Sequence, residues 1–125
     1  MKNPEVFIVH IIDSIGKIED FTNNKEKEDF LEDVQLQDAV IRRIEIIGEA
    51  SKNIPEEFKK NFQDVPWREM ARTRDKLIHG YFGVDLELTW DIVEHDLPQL
   101  KARMEQILES LSMVMNNDPG KMQFL

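Results

Sequence analysis

Helical spacing of the apolar residues is the feature of this chain that most constrains its fold. Apolar residues recur three and four positions apart along most of the 125 residues, and the alternation that marks a β-strand is almost absent. An amphipathic helix must bury its apolar face against other elements, so the pattern predicts an all-α fold, an antiparallel bundle of about five helices. In the first predicted helix, over residues 6–21, the repeat consists of Ile8, Ile11, Ile12, Ile15 and Ile18.

Polar connectors and prolines divide the rest of the chain into further predicted helices. A second helical region spans residues 27–53 and is interrupted around residues 33–36. A short helix follows over residues 55–62, with a proline at its tolerated first position. The next helix runs from residue 66 to about residue 79, again with a proline at its start.

The last third of the chain is predicted to contain two helices and a tail. Asp85 can cap a helix that begins near Leu86, and Pro98 is predicted to separate that helix from the last one. The whole is one domain over residues 1–115. Residues 116–125 are predicted to form a flexible tail.

The predicted helix over residues 27–53 carries features beyond its wide apolar stripe. Gly48 would let another helix approach closely, because it has no Cβ. Glu45 and Glu49 are four residues apart and therefore share one face. Paired carboxylates can act as acid and base or bind a metal, but no His or Asp stands beside them at ligand spacing. Solvated or salt-bridging carboxylates are the expected role.

Composition limits the classes of function. The chain has no cysteine, so disulfides and thiolate metal sites are excluded and a reducing cytoplasm is the expected setting. No apolar run is long enough to span a membrane. The net charge of −9 argues against tight coating of nucleic acid. Only the middle of the chain, over residues 39–81, has an excess of basic residues, which favours a local positive groove able to engage phosphate.

Residues 72–81 concentrate the chemistry-bearing side chains of that basic region. His79 can transfer a proton near neutral pH, while Arg72 and Arg74 supply fixed positive charge suited to phosphate. Asp75 can orient either kind of group, and Tyr81, the single tyrosine of the chain, adds a hydroxyl. These residue types suggest work on a phosphate ester. The alternative is a helix end with a solvated charged face and a capping histidine.

Helix geometry alone favours Arg72 over Arg74 as the arginine that acts with His79. Residues advance about 100° each around a helix, so Arg72 and His79 share a face, whereas Arg74 and His79 point about 140° apart. Arg74 and His79 can serve one site only if the helix ends near His79 or if a second chain helps. Gly80 is a candidate helix breaker.

Other recognisable catalytic motifs are missing from the sequence. It has no Gly-rich phosphate loop, no Gly-x-Ser-x-Gly and no His-Glu-x-x-His. His10 and His95 are far from His79 in sequence and are expected to have surface or structural roles. Metal-free acid–base chemistry, with no cofactor, is the enzymatic hypothesis that the residues leave.

The Arg74-x4-His79-x-Tyr81 pattern resembles the Arg-x4-His-x-Tyr motif of the HepT branch of the HEPN superfamily. The resemblance covers about residues 5–112 and is more specific than the short motif alone. The stretches that carry it are Gln37–Ser51, Val65–Glu69, His79–Asp85 and Asp96–Pro98.

This resemblance implies an all-α HEPN domain that acts as a metal-independent endoribonuclease toxin of a toxin–antitoxin pair. Carried over by position, Arg74 and His79 are catalytic, and Asp75 matches the polar position after the motif arginine. Arg72 also fits the looser spacing found across HEPN ribonucleases. Tyr81 would accept AMP from an antitoxin, a nucleotidyltransferase of the MNT type, which silences the toxin.

Cleavage of RNA by this route needs a base, an acid and positive charge at one phosphodiester. One chain offers one suitable histidine, so the hypothesis calls for a homodimer with the motif at its interface. Two alternatives stay open. The chain can be a non-catalytic HEPN companion that binds nucleotide or RNA and docks a nucleotidyltransferase, or it can be a generic helical scaffold.

Overall fold

The computed structural model describes residues 3–78 and 83–116, with side chains through residue 112. Within these ranges the chain is almost entirely helical, and its only paired extended backbone is a single bridge between Ile78 and Val84. The predicted all-α bundle is therefore confirmed. The longer helices are α1 (Pro4–Thr22), α3 (Val34–Asn53), α5 (Trp67–Leu77) and α7 (Leu97–Asn116). The short ones are α2 (Lys27–Glu32), α4 (Glu56–Lys59), which runs into a 3₁₀ turn at Lys60–Phe62, and α6 (Leu86–Asp91).

Aspartate caps fix two of the helix starts. The Asp33 carboxylate accepts a hydrogen bond from the backbone N–H of Leu36 at 3.1 Å, where α2 ends and α3 begins. The Asp85 carboxylate accepts from the N–H of Leu88 at 3.0 Å at the start of α6. Each bond satisfies a donor that the first helical turn leaves without a partner. The predicted interruption near residue 33 and the predicted Asp85 cap are both confirmed.

The predicted break at Pro98 is wrong. The helix continues from α6 through one π-helical segment, Ile92–Asp96, directly into α7. Proline lacks an N–H, and its ring crowds the carbonyl group four residues earlier. The wider π turn, in which the Leu97 N–H donates to the Ile92 carbonyl, makes room for the ring without ending the helix. Burial of Ile92 and Leu97 in the core holds this segment in place.

Helix α5 ends two residues earlier than predicted, at Leu77 rather than His79. Ile78 is extended, with φ −103° and ψ 118°, and pairs with Val84. The N–H of Asp85 donates to the carbonyl of Leu77 at 2.8 Å. These two contacts anchor both ends of the connection between α5 and α6. The Asp85 N–H replaces the donor that a continued helix would have given to the Leu77 carbonyl.

The core forms where α1, α3, α5 and the α6–α7 helix meet. The isoleucines that form the predicted apolar face of α1 are buried, except for Ile12. Ile12 is partly exposed and packs against the core. The predicted core residues Trp67, Met70 and Leu77 of α5 are buried, whereas Ile78 is only partly buried. None of the described helices combines the length and the apolar character needed to cross a bilayer.

Helices α3 and α5 pack closely and antiparallel. The buried Ser51 hydroxyl donates to the backbone carbonyl of Trp67 at 3.0 Å. A Cβ added to Gly48 would lie 3.0 Å from the Met70 carbonyl oxygen, closer than normal van der Waals contact. The predicted role of Gly48, close approach of a second helix, is therefore confirmed. We call this line of contacts the α3–α5 seam.

Candidate functional site

Arg74 extends the α3–α5 seam onto the protein surface. Its guanidinium Nε–H donates to the Glu45 carboxylate at 2.9 Å, across the two helices. The Glu45 side chain is 30% exposed and that of Arg74 is 53% exposed. The ion pair thus lies at the edge between core and solvent, where one end of the guanidinium is held by the fold and the other end faces water.

Most of the hydrogen-bonding capacity of Arg74 is left over. A guanidinium has five N–H donors, and Glu45 engages one of them. The Asp75 carboxylate lies 3.6 Å from Nη1, which is too long for a hydrogen bond. Among residues 3–78 and 83–112, nothing accepts a hydrogen bond from Nη1 or Nη2. Such a fork of free donors matches two oxygens of a phosphate or carboxylate.

A cavity of about 330 Å³ lies beside Arg74, between α1, α3 and α5. Basic and acidic side chains both line it, including Arg42 and Glu49. His10 also lines it and is exposed, with its ring edge-on to that of Phe7 at a centroid distance of 6.3 Å. The predicted surface position of His10 is confirmed, but its location next to the Arg74 site was not predicted.

Arg72 lies on a different side of α5. It lines an open depression together with Asp75 and Lys76, as the helical spacing predicted. The structure does not bring Arg72 together with Arg74, although the two residues are only two positions apart. Asp75 stands between them, exposed, with its carboxylate nearest to Arg74. Arg74 is therefore the arginine that the fold orients, and Arg72 projects from the surface.

His79 and Tyr81 lie outside the described residues. The geometric condition that the sequence set for Arg74 and His79 to share a site is nevertheless met, because α5 ends at Leu77. The Ile78 N–H still donates to the Arg74 carbonyl, at 3.0 Å, but Ile78 itself is already extended. The catalytic roles of Arg74 and His79, and the role of Tyr81 as the acceptor of AMP, stay predictions.

The partner of Glu45 is the feature that sequence reasoning missed. Glu45 was expected to be solvated or salt-bridging, which is confirmed, but Arg74 lies 29 residues away in sequence. The signal that points to it is Gly48, one turn along the same face and itself predicted to contact another helix. Glu49, by contrast, is exposed and has Lys52 at 3.9 Å.

In the described part of the chain, no group of three or more His, Asp or Glu is arranged to hold a metal ion.

His95 is exposed, and its Nδ1 lies 3.0 Å from a carboxylate oxygen of Asp91, one turn earlier. The surface role predicted for it is confirmed.

Comparison with known proteins gives a consistent family. The family model described as "Ribonuclease HepT-like" matches residues 11–107. A Thermococcus cleftensis protein named "Probable ribonuclease HepT" is 54% identical over 101 residues, which are 81% of this chain and 92% of that protein. A "Putative RNase" of Methanocaldococcus jannaschii is 44% identical over 110 residues, 88% of this chain and 91% of its own length.

A longer protein of Methanocaldococcus jannaschii, "Gamma-glutamylcyclotransferase and putative RNase", is 50% identical over 116 residues. The match covers 93% of this chain but spans only about half, 52%, of that relative. No solved structure matches the chain.

Proposed function

This chain belongs to the ribonuclease HepT-like family, and we propose that it is a metal-independent endoribonuclease whose site contains Arg74 and His79. The observation that carries the proposal is the Arg74 guanidinium. It is held by Glu45 through Nε, while its remaining donors point to solvent at the end of α5. Fixed positive charge with free N–H groups is what stabilises the extra negative charge on a phosphate under attack.

The proposed chemistry uses the nucleophile that RNA carries. The 2′-hydroxyl attacks the adjacent phosphorus, the P–O5′ bond breaks, and the products are a 2′,3′-cyclic phosphate and a free 5′-hydroxyl. One imidazole removes the 2′-proton and another donates a proton to the leaving oxygen. Arg74 stabilises the phosphorane between these two steps. Asp75 and Arg72 are the proposed supporting residues: the Asp75 carboxylate lies 3.6 Å from Arg74 Nη1 and can orient the guanidinium, and Arg72 adds positive charge from another side of α5.

The need for two imidazoles leads to a homodimer. Each chain contributes one His79, so a site with a base and an acid requires two copies related by a two-fold axis. In this arrangement two Arg74 guanidiniums flank one phosphodiester. Sedimentation of the purified protein tests the assembly: we expect a dimer at the concentrations at which RNA is cleaved, and a persistent monomer that cleaves RNA would contradict it.

Tyr81 is the proposed regulatory position. Transfer of AMP to its hydroxyl would add a negative phosphate two residues from His79, where it can pair with Arg74 or Arg72 and block RNA. The modifying enzyme would be an MNT-type nucleotidyltransferase that acts as the antitoxin to this toxin. Coexpression followed by intact mass measurement tests this: adenylyl units should be added to the wild-type protein and to no site in Tyr81→Phe.

The decisive experiment on activity is simple. Purified protein is incubated with RNA in EDTA, and the ends of any fragments are identified. We expect fragments ending in 2′,3′-cyclic phosphate, and we expect His79→Ala to lose cleavage while it keeps its fold and its dimer. Undiminished cleavage by folded His79→Ala would contradict the assignment. Absence of fragments across diverse RNAs, with retained RNA binding, would favour a non-catalytic companion of a nucleotidyltransferase.

A further inference from the structure

We propose that Glu45 is a positioning residue for the reaction: its carboxylate holds the Arg74 guanidinium so that the Nη donors face the substrate phosphate. This inference rests on the proposed function. Glu45 itself touches no reacting atom and acts through Arg74. It is distinct from the motif residues, because it comes from α3, a helix that the Arg-x4-His-x-Tyr pattern does not include.

The packing of α3 against α5 carries the first part of the argument. Three contacts join these antiparallel helices at intervals of three residues on α3 and three or four on α5, which is one turn each. The backbone is therefore in register before the last contact is reached, and the last contact has a defined geometry. From the buried end to the exposed end, the contacts are Ser51 with Trp67, Gly48 with Met70, and Glu45 with Arg74.

The choice of nitrogen carries the second part. Glu45 accepts from Nε, the guanidinium nitrogen nearest the helix, at 2.9 Å. Occupation of Nε removes the side-on mode, in which Nε and one Nη bind the same anion. The end-on mode through Nη1 and Nη2 remains, and it directs the phosphate away from α3. The contact also limits the rotamers of a long side chain, so less ordering is left to the substrate.

Exposure indicates that this ion pair contributes little to the stability of the fold. Arg74 is half-exposed and Glu45 is one-third exposed. Ion pairs in such surroundings contribute little to stability, because water solvates both partners and salt screens them. The buried Ser51 contact and the Gly48 approach already fix the helices. Removal of the Glu45 carboxylate should therefore leave the melting temperature nearly unchanged while it releases the guanidinium.

A direct measurement of the contact does not depend on activity. The Nε–H of Arg74 is followed by ¹H–¹⁵N NMR and assigned by its absence in Arg74→Lys. In the wild-type protein we expect a signal protected from exchange with water, and in Glu45→Ala we expect that signal to be lost. Glu49→Ala is the matched control: it removes a carboxylate one turn along α3 that pairs with Lys52 instead, and it should leave the Arg74 signal unchanged.

The kinetic measurement uses the same variants on RNA. We expect Glu45→Ala to lower kcat about tenfold to a hundredfold with a smaller change in KM, because a loosened guanidinium mainly loses contact with the phosphorane. Glu45→Gln keeps an oxygen that accepts from Nε and should recover much of the rate. Asp38→Ala, which removes an exposed carboxylate elsewhere on α3, is the kinetic control and should cleave like the wild type.

The outcomes separate this inference from the proposed function. Wild-type kcat in Glu45→Ala, or an unchanged Arg74 Nε–H signal, would overturn the positioning role even if the protein is a ribonuclease. If the wild-type protein cleaves no RNA, the proposed function fails. The affinity of each variant for a 2′-deoxy oligonucleotide is then measured in place of kcat. Positioning is then supported by loss of the NMR signal together with weaker, Arg74-dependent binding in Glu45→Ala, and it is overturned if either is unchanged.

Discussion

In the described part of the chain, two ion pairs join an arginine to a carboxylate from another part of the bundle, and they use the arginine differently. Arg103 of α7 donates from Nε and Nη2 to the two oxygens of Asp64, at 2.7 and 3.1 Å. Its Nη1 donates to Gln106 at 3.3 Å, and its guanidinium lies 5.7 Å from the centre of the Phe62 ring. Arg74 donates only from Nε, to Glu45.

The difference indicates which arginine is available to a ligand. Every guanidinium nitrogen of Arg103 has a protein partner, so an incoming phosphate would have to replace existing hydrogen bonds. The Nη groups of Arg74 have no hydrogen-bond acceptor among the described residues, although the Asp75 carboxylate lies 3.6 Å from Nη1, and Arg74 belongs to the positive middle of the sequence. Both arginines form an ion pair, but Arg103 uses all of its nitrogens to join two segments of the fold, whereas Arg74 presents donors to solvent.

The largest expected effect distinguishes the two arginines by activity. Arg74→Ala should lower the rate of RNA cleavage about 10²- to 10³-fold, the usual cost of removing one donor that stabilises developing negative charge. Arg74→Lys should recover little, because an ammonium lacks the planar fork. Initial rates with a labelled RNA measure both variants. Arg103→Ala is the matched control and should cleave normally per folded molecule; equal losses in both arginine variants would remove the distinction.

Gly48 tests whether the α3–α5 seam sets the position of Arg74. A valine there would press against the Met70 carbonyl oxygen, which a Cβ already approaches to 3.0 Å. We expect Gly48→Val to lower the free energy of unfolding by about 1–3 kcal/mol, as overpacking does, and to reduce cleavage because the helices move apart. Urea denaturation and cleavage rates measure the two effects. Full stability and full activity in this variant would show that the close approach is dispensable.

Ser51 lies at the buried end of the same seam and should affect stability alone. Its hydroxyl is fully buried and donates to the Trp67 carbonyl. Ser51→Ala should cost about 1 kcal/mol, the typical net contribution of a buried hydrogen bond, and leave kcat unchanged. Thermal and urea denaturation measure the loss. A selective fall in kcat without loss of stability would contradict the division of the seam into a structural end and a functional end.

The smallest expected effect concerns pH and the Arg103 pair. The hydrogen bond from Arg103 lowers the pKa of Asp64 below its usual value. Because the folded-state pKa is the lower one, this carboxylate stabilises the fold above about pH 4 and loses that contribution as the pH falls further. Asp64→Asn should therefore be less stable than the wild type at neutral pH, with a difference that shrinks below pH 4. A constant difference in urea midpoint from pH 7 to pH 3 would contradict this.

Local patterns in the sequence predicted the helices well, and their failures have identifiable causes. Apolar spacing and capping residues act within a few positions, which is why α1 and the Asp85 cap are as predicted. Proline usually ends a helix, which is why the sequence predicts a break at Pro98, but packing of Ile92 and Leu97 in the core favours a π turn instead. The stabilisation of the π turn comes from tertiary contacts, and these cannot be read from a local sequence pattern.

The candidate site was predictable in its residue types and not in its partners. The motif identified Arg74, and the helix period separated its face from that of Arg72, as the structure confirms. The contact with Glu45 depends on the relative rotation of α3 and α5. Because 29 residues separate Glu45 from Arg74, no local sequence pattern indicates this contact. The catalytic assignments of Arg74 and His79 stay predictions for experiment.

Paired double-mutant cycles test the contrast between the two ion pairs most directly. For Glu45 and Arg74, each changed to Ala singly and together, cleavage rate and unfolding free energy are measured, and Asp64 and Arg103 are treated in the same way. We predict that the first pair is coupled in cleavage, so that the double variant is no slower than Arg74→Ala, and that the second pair is coupled only in stability. Additive losses of cleavage rate for Glu45 and Arg74, or coupling of Asp64 and Arg103 in cleavage, would contradict the account.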